Sequence, residues 1–278
     1  MKQRQIASPS SWGELLHYFQ EAEPQTKILA GGTDFSVSLR GSTSVTMQFI
    51  DITHVKELCF IREEGEYLYI GATTTFTKLE QHPLMRQYGG CLYQAAGRIG
   101  SKQIRNMATI GGNIANGAPA ADSVVALLAL RAEASVYNHN LEHRWIPLSD
   151  LLKNFPTDCL LTAIRFPKLH SNACSGFAKV GTRSSVTISQ LILSCVFQIG
   201  SQNNRIEKAA VALGAVGPHA FLDEETSERL IGELWDQAIV NTLTTCLQET
   251  IASAIPGRAS LSYKRIAICG LVEDVLSM

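Results

Sequence analysis

Two short stretches hold residue types that suit a phosphate. ILAGGTDF, residues 28–35, runs an apolar segment into Gly31-Gly32, followed by Thr33, Asp34 and Phe35. TIGGN, residues 109–113, repeats the recipe, with Gly111-Gly112 between Thr109 and Asn113. Glycine lacks a Cβ, so backbone can approach a ligand closely and successive N–H groups can turn toward one anion. A threonine hydroxyl adds a donor. Each stretch alone also reads as a plain turn, but two in one domain point to a pyrophosphate held between them. Neither is G-x-G-x-x-G nor G-x-x-x-x-G-K-[ST], so neither a Rossmann dinucleotide site nor a P-loop is indicated. Lys102 and Arg105 supply positive charge upstream of the second stretch. Downstream, Asp122 precedes the apolar run SVVALLAL. Two readings stand for it: a helix N-cap and an acceptor for ribose hydroxyls.

The remaining candidates for chemistry are few. Seven cysteines lie at 59, 91, 159, 174, 195, 246 and 269, with no C-x-x-C and no zinc-type Cys/His spacing. An iron–sulfur cluster wants closely spaced thiolates, so these read as buried, reduced thiols. The formal net charge of −1 leaves no basic excess for nucleic acid. Apolar runs stop well short of the roughly 20 residues that cross a bilayer. The N-terminus is basic but lacks the apolar core of a signal peptide. A cytoplasmic protein is expected.

Elements that would position these residues follow from periodicity. Helices are expected at 11–21, capped by a serine, then at 73–88, 94–105, 123–130, 234–255 and 262–276. Strands are expected at 27–30, 47–52, 67–72, 133–137 and 160–166. A hairpin is expected from 186–199 and 206–216 around the turn GSQNNR. With 278 residues, two domains are expected, and the polar segment PKLHSNAC, 167–174, marks the boundary.

AGGTD, together with GSKQIRNMA running into TIGGNIANGAPAADS, resembles the FAD-binding medium subunit of the molybdenum hydroxylases, the group of xanthine dehydrogenase and carbon monoxide dehydrogenase. LLTAIRFP, GFAKVGTRSS and GRASLSYKRIAI resemble the family more loosely. The resemblance implies an α+β fold. A FAD-binding domain of the vanillyl-alcohol-oxidase type would fill residues 1–168, in subdomains of about 1–54 and 55–168. A smaller domain of antiparallel sheet and helices would fill 174–278. It implies that Leu29, Ala30, Gly31, Gly32, Thr33, Asp34 and Phe35, with Thr109, Ile110, Gly111, Gly112 and Asn113, surround the FAD pyrophosphate and ribityl chain. Asn116 would lie near the flavin, Asp122 would serve the cofactor, and Leu161 and Lys179 would stand near the ring and its edge. For Lys179 a solvated strand lysine is the other reading.

The resemblance further implies non-covalent FAD, and no histidine is placed for covalent attachment. Molybdenum cofactor and [2Fe-2S] clusters would sit only on partners, a large and a small subunit. Electrons would leave to an acceptor such as NAD+. One departure is the segment SYKRIAICGLVEDVL, which has no His after Arg265. Two rival readings accompany this one: an independent flavoprotein oxidoreductase of the same fold, and an assembly module that has lost FAD.

Overall fold

The computed structural model describes residues 5–39, 48–156, 158–183 and 186–277. The chain opens with β1 (Gln5–Ala7), α1 (Trp12–Gln20), β2 (Lys27–Leu29), α2 (Thr33–Leu39) and β3 (Gln48–Asp51). The strands form a parallel sheet in the order β1-β3-β2, with Ile28 beside Ile50 and Leu29 beside Asp51. Ser11 caps α1 by accepting from the Glu14 amide at 3.3 Å. The same helix buries Leu15 and Phe19 against Ile50, Ile52 and Val55. Met47, the first residue of the expected strand at 47–52, lies outside the described residues, as do Ser184 and Ser185 of GFAKVGTRSS.

The middle of the chain supplies a second sheet and most of the helices. In order these are β4 (Ile61–Glu64), β5 (Tyr67–Gly71), α3 (Phe76–Gln81), α4 (Pro83–Tyr88), α5 (Gly90–Arg98), α6 (Lys102–Met107), α7 (Ile110–Asn116), α8 (Asp122–Ala129), β6 (Glu133–Tyr137), β7 (His143–Pro147), α9 (Leu148–Lys153) and β8 (Leu160–Pro167). The five strands run antiparallel in the order β4-β5-β8-β6-β7.

The last third comprises β9 (Ala173–Gly181), β10 (Ser189–Ile199), β11 (Ile206–Gly214), β12 (Phe221–Leu222), α10 (Glu224–Leu230), α11 (Ile239–Ala254) and α12 (Leu261–Leu276). Its antiparallel sheet has the order β12-β11-β10-β9. Side chains alternate across a strand, and here both faces are buried. Phe177, Ile192 and Ala212 join the core around α8. Their neighbours Ala178, Leu191, Leu193, Val211 and Leu213 join a separate core with α11 and α12. Double burial explains why β10 reads as a nearly continuous apolar run.

Several expected elements are divided, each for a local reason. The helix expected at 73–88 becomes α3 and α4, because Pro83 cannot continue a helix and His82 is extended (φ −81°, ψ 128°). The helix expected at 94–105 becomes α5 and α6, broken where Gly100 takes φ +47°. The helix expected from residue 234 starts at Ile239, since the Trp235 amide is drawn to the Asn204 carbonyl at 2.8 Å.

Candidate functional site

The two glycine stretches meet across a cleft of about 360 Å³. Thirteen of the sixteen residues expected at a cofactor line it: Leu29 to Phe35, Thr109, Gly111 to Asn113, Asn116 and Leu161.

One wall is the turn from β2 into α2. Gly32 has φ +65°, the left-handed region that glycine tolerates. A Cβ on Gly31 would stand 2.0 Å from the Met107 carbonyl oxygen, so only glycine lets this turn close against the end of α6. The backbone N–H groups of Gly31, Gly32, Thr33 and Asp34 have no acceptor among the described residues. Four consecutive open donors at a cleft are what an anion requires.

The opposite wall is the start of α7, and it differs from a glycine loop. TIGGN is helical, with Thr109 as the N-cap. The amide of Ile110 donates to the Thr74 carbonyl at 3.0 Å and that of Gly111 to the Ala72 carbonyl at 2.9 Å. The Gly112 amide donates to Thr109 Oγ1 at 3.2 Å, and the Asn113 amide to the Thr109 carbonyl at 3.0 Å. Every donor of that first turn is already engaged, so the second stretch contributes shape. A Cβ on Gly111 would lie 2.7 Å from Ala72 Cβ and 2.9 Å from Leu161 Cδ2, so this glycine lets α7 lie flat on the sheet. Gly112 instead lines the cleft, and a Cβ on it would meet only Thr109 Oγ1 closely, at 2.9 Å.

Side chains link the walls and brace each one from its own side. Asn116 Nδ2 donates to Asp34 Oδ2 at 3.3 Å. Ser123 Oγ donates to Asn113 Oδ1 at 2.6 Å, and Thr53 Oγ1 donates to the Ala30 carbonyl at 3.2 Å.

Three expected residues are not at the cleft. Ile110 is fully buried in the core. Asp122 is the first residue of α8, its preceding Ala121 holds the cap position, and no side chain caps the helix. The cap reading of Asp122 is therefore corrected. Its carboxylate accepts from Lys179 Nζ at 2.5 Å and from Ser189 Oγ at 2.7 Å. The Asp122 and Lys179 side chains are only 7% and 10% exposed, which also removes the reading of Lys179 as a solvated strand lysine. Burial raises the Asp122 pKa, while the Lys179 charge and the hydrogen bonds pull against it. Lys179 donates as well to the Arg98 carbonyl at 2.9 Å, and the Arg98 guanidinium donates to the Phe177 carbonyl at 3.1 Å. This network joins β9 and β10 to α5 and α8. Arg105, offered as charge for the second stretch, is paired with Glu80 at 2.8 Å.

The expected cofactor set did not include Lys27, Ile28, Ile52, Ala72, Ala108, Ala115, Phe155 and Cys159, which also line the cleft. Lys27 is the single cation among the described lining residues, and its place at the head of the strand KILA was the available signal. Burial, aided by neighbouring Asp158, pushes the Cys159 thiol up to about 11.

Residues 2–169 match the family of the FAD binding domain in molybdopterin dehydrogenase. The chain belongs to this family. Residues 178–278 match a second family, the CO dehydrogenase flavoprotein C-terminal domain. Full-length relatives include the nicotinate dehydrogenase FAD-subunit of Eubacterium barkeri, 28% identical, covering 99% of this chain and 95% of that one. The carbon monoxide dehydrogenase medium chain of Hydrogenophaga pseudoflava is 25% identical over 97% of this chain and 94% of its own. The fold matches a solved structure of carbon monoxide dehydrogenase from the same organism with a TM-score of 0.88 at 24% identity, covering 100% of this chain and 97% of that chain.

Membership makes this chain a FAD-binding subunit type of the molybdenum hydroxylases, and the cleft fits the cofactor on its own evidence. Open backbone donors at Gly31–Asp34 suit a pyrophosphate. Apolar walls from Ile28, Ala72, Phe155 and Leu161 suit rings, with few polar groups to fix orientation. Among the described residues no group of three or more His, Cys, Asp or Glu is placed to hold a metal, and no helix is long and apolar enough to cross a membrane.

Proposed function

We propose that this chain is the FAD-carrying electron-transfer subunit of a cytoplasmic molybdenum hydroxylase complex. It takes electrons from [2Fe-2S] clusters on a small partner and passes them to an external acceptor such as NAD+, while a large partner carries the molybdenum cofactor. The observation that carries this reading is the pairing of open amides at Gly31–Asp34 with a closed, glycine-smoothed wall at Gly111-Gly112. One wall binds charge and the other allows close approach. The relatives named above as FAD-subunit and medium chain share nearly the full length of this chain.

FAD, when bound, accepts electrons singly and gives them up in pairs. The chain's own residues have a narrower task. The amides of Gly31 to Asp34 hold the phosphates, Lys27 adds a positive charge at the cleft, and Phe155 and Leu161 keep water from the apolar end of the cleft. None of the cleft side chains is required to move a proton.

An absorption spectrum of the protein purified natively from its source, with iron and molybdenum assayed on the same sample, tests the proposal. Flavin bands together with iron, molybdenum and two further chains are expected. Flavin alone, one per chain and with its own turnover, would favour the independent oxidoreductase. Absence of flavin would overturn both.

A further inference from the structure

Of the seven cysteines, one has a primary amine against its sulfur. Lys78 Nζ lies 2.8 Å from Cys59 Sγ. Lys78 is exposed, and among the described residues it has no carboxylate within ion-pairing distance. Cys59 is half-buried, so a small oxidant can reach it. Both groups are held. The Cys59 amide donates to the Lys56 carbonyl at 3.0 Å, and the flanking Leu58 and Phe60 carbonyls accept from Thr73 and Gly71. Lys78 sits in the first turn of α3, capped by Thr75 Oγ1. Burial pushes Cys91, Cys159 and Cys174 up to about 11 and raises Cys195 and Cys246 as well, which keeps those five as unreactive thiols.

We propose that Cys59 and Lys78 form a reversible oxidative modification site, in which hydrogen peroxide joins the two side chains through a sulfur–nitrogen bond. Peroxide first transfers one oxygen to the Cys59 sulfur. A sulfur–oxygen bond forms, the peroxide bond breaks and one water leaves, giving the sulfenic acid. Sulfur loses two electrons and peroxide gains them. The Lys78 amine, having released a proton to solvent, then attacks sulfur. The sulfur–nitrogen bond forms, the sulfur–oxygen bond breaks and a second water leaves, the side-chain counterpart of the condensation that sulfenic acids undergo with backbone nitrogen. A thiol reductant reverses the link. It would staple the segment before β4 to α3, and that segment accepts from the amides of Gly71 and Thr73, the residues on either side of the cleft-lining Ala72.

The test is peptide mapping by mass spectrometry on the full, FAD-loaded chain after hydrogen peroxide. The expected product is a linked peptide pair carrying Cys59 and Lys78, lighter than the separate peptides by two hydrogens and released by dithiothreitol. Lys78→Arg keeps the charge but removes the nucleophile, so the link should vanish. Cys59 should then be trapped by dimedone and advance to the sulfinic acid several-fold faster. Unlinked peptides in the wild type, with Cys59 overoxidised at the same rate as in Lys78→Arg, would overturn the proposal. A linked pair that retains one oxygen would overturn the condensation step.

Discussion

Asn116 on α7 and Asp34 on α2 meet across the cleft through a single hydrogen bond, Nδ2 to Oδ2 at 3.3 Å. The two residues are 82 positions apart in sequence; Asp34 belongs to the first glycine stretch and Asn116 lies three residues past the second. This bond links the donor wall to the smooth wall. Asn116→Ala removes it. A loss of about 1 kcal/mol is expected for such a bond, which corresponds to FAD binding weakened by about fivefold. Titration of apo protein followed by flavin fluorescence measures it, and unchanged affinity would show that FAD binding does not depend on this link.

Adjacent glycines should separate into two phenotypes. Gly111→Ala places a methyl group 2.7 Å from Ala72 Cβ and 2.8 Å from its carbonyl. Overpacking of this kind costs about 1–3 kcal/mol, so thermal unfolding should shift downward with or without FAD. Gly112→Val meets only Thr109 Oγ1 within 3 Å and projects into the cleft. The folded variant should lack flavin. Normal flavin content in folded Gly112→Val would mean that the cofactor runs elsewhere.

Lys179→Met leaves the Asp122 carboxylate buried with Ser189 as its remaining side-chain donor. Removing one partner of a buried pair costs about 3–5 kcal/mol. The pH dependence has a definite sign. Burial already raises the Asp122 pKa, and Lys179 opposes the rise; without Lys179 the carboxyl protonates in the folded state at higher pH than in the unfolded chain. The penalty is therefore full above the folded pKa and shrinks as pH falls through it toward the ordinary carboxylate range. Thermal unfolding of wild type and variant at pH 5 and pH 8 should show the smaller gap at pH 5. A gap independent of pH would indicate that Asp122 does not ionise in the fold.

Cys159 lines the cleft with its thiol pushed up to about 11. Only thiolate reacts with iodoacetamide, so labelling of Cys159 should be slow at pH 8 and climb about tenfold per pH unit below that value. Bound FAD should protect it. Rapid labelling at neutral pH would contradict the buried setting.

Much of the fold was legible where one residue type dictates one outcome. Ser11 caps α1 as its position announced, and the three-residue strand KIL leads into Gly31-Gly32 as read. The cleft was legible because two glycine pairs with similar polar flanks, Thr33-Asp34 after one and Thr109 and Asn113 around the other, fall in one domain. The conformation of the second pair was not. Glycine is a poor helix former, so IGG reads as a loop, yet Thr109 caps it and carbonyls of Ala72 and Thr74 take its amides. Those acceptors are more than thirty positions away in sequence. The fate of Asp122 was hidden for the same reason. Its partners Lys179 and Ser189 arrive from strands of the last third, and nothing in the local sequence announces a pairing of that range.

The doubly buried sheet of the last third has a further consequence for modularity. Phe177, Ile192 and Ala212 turn one face of that sheet into α8, so cutting the chain between residues 169 and 178 would strand an apolar surface on each fragment. The two family-matched segments are therefore not interchangeable parts. A graft of either half onto a foreign counterpart would have to bring a matching α8 face with it, and inheritance of the pair as one unbroken block is the arrangement this packing enforces.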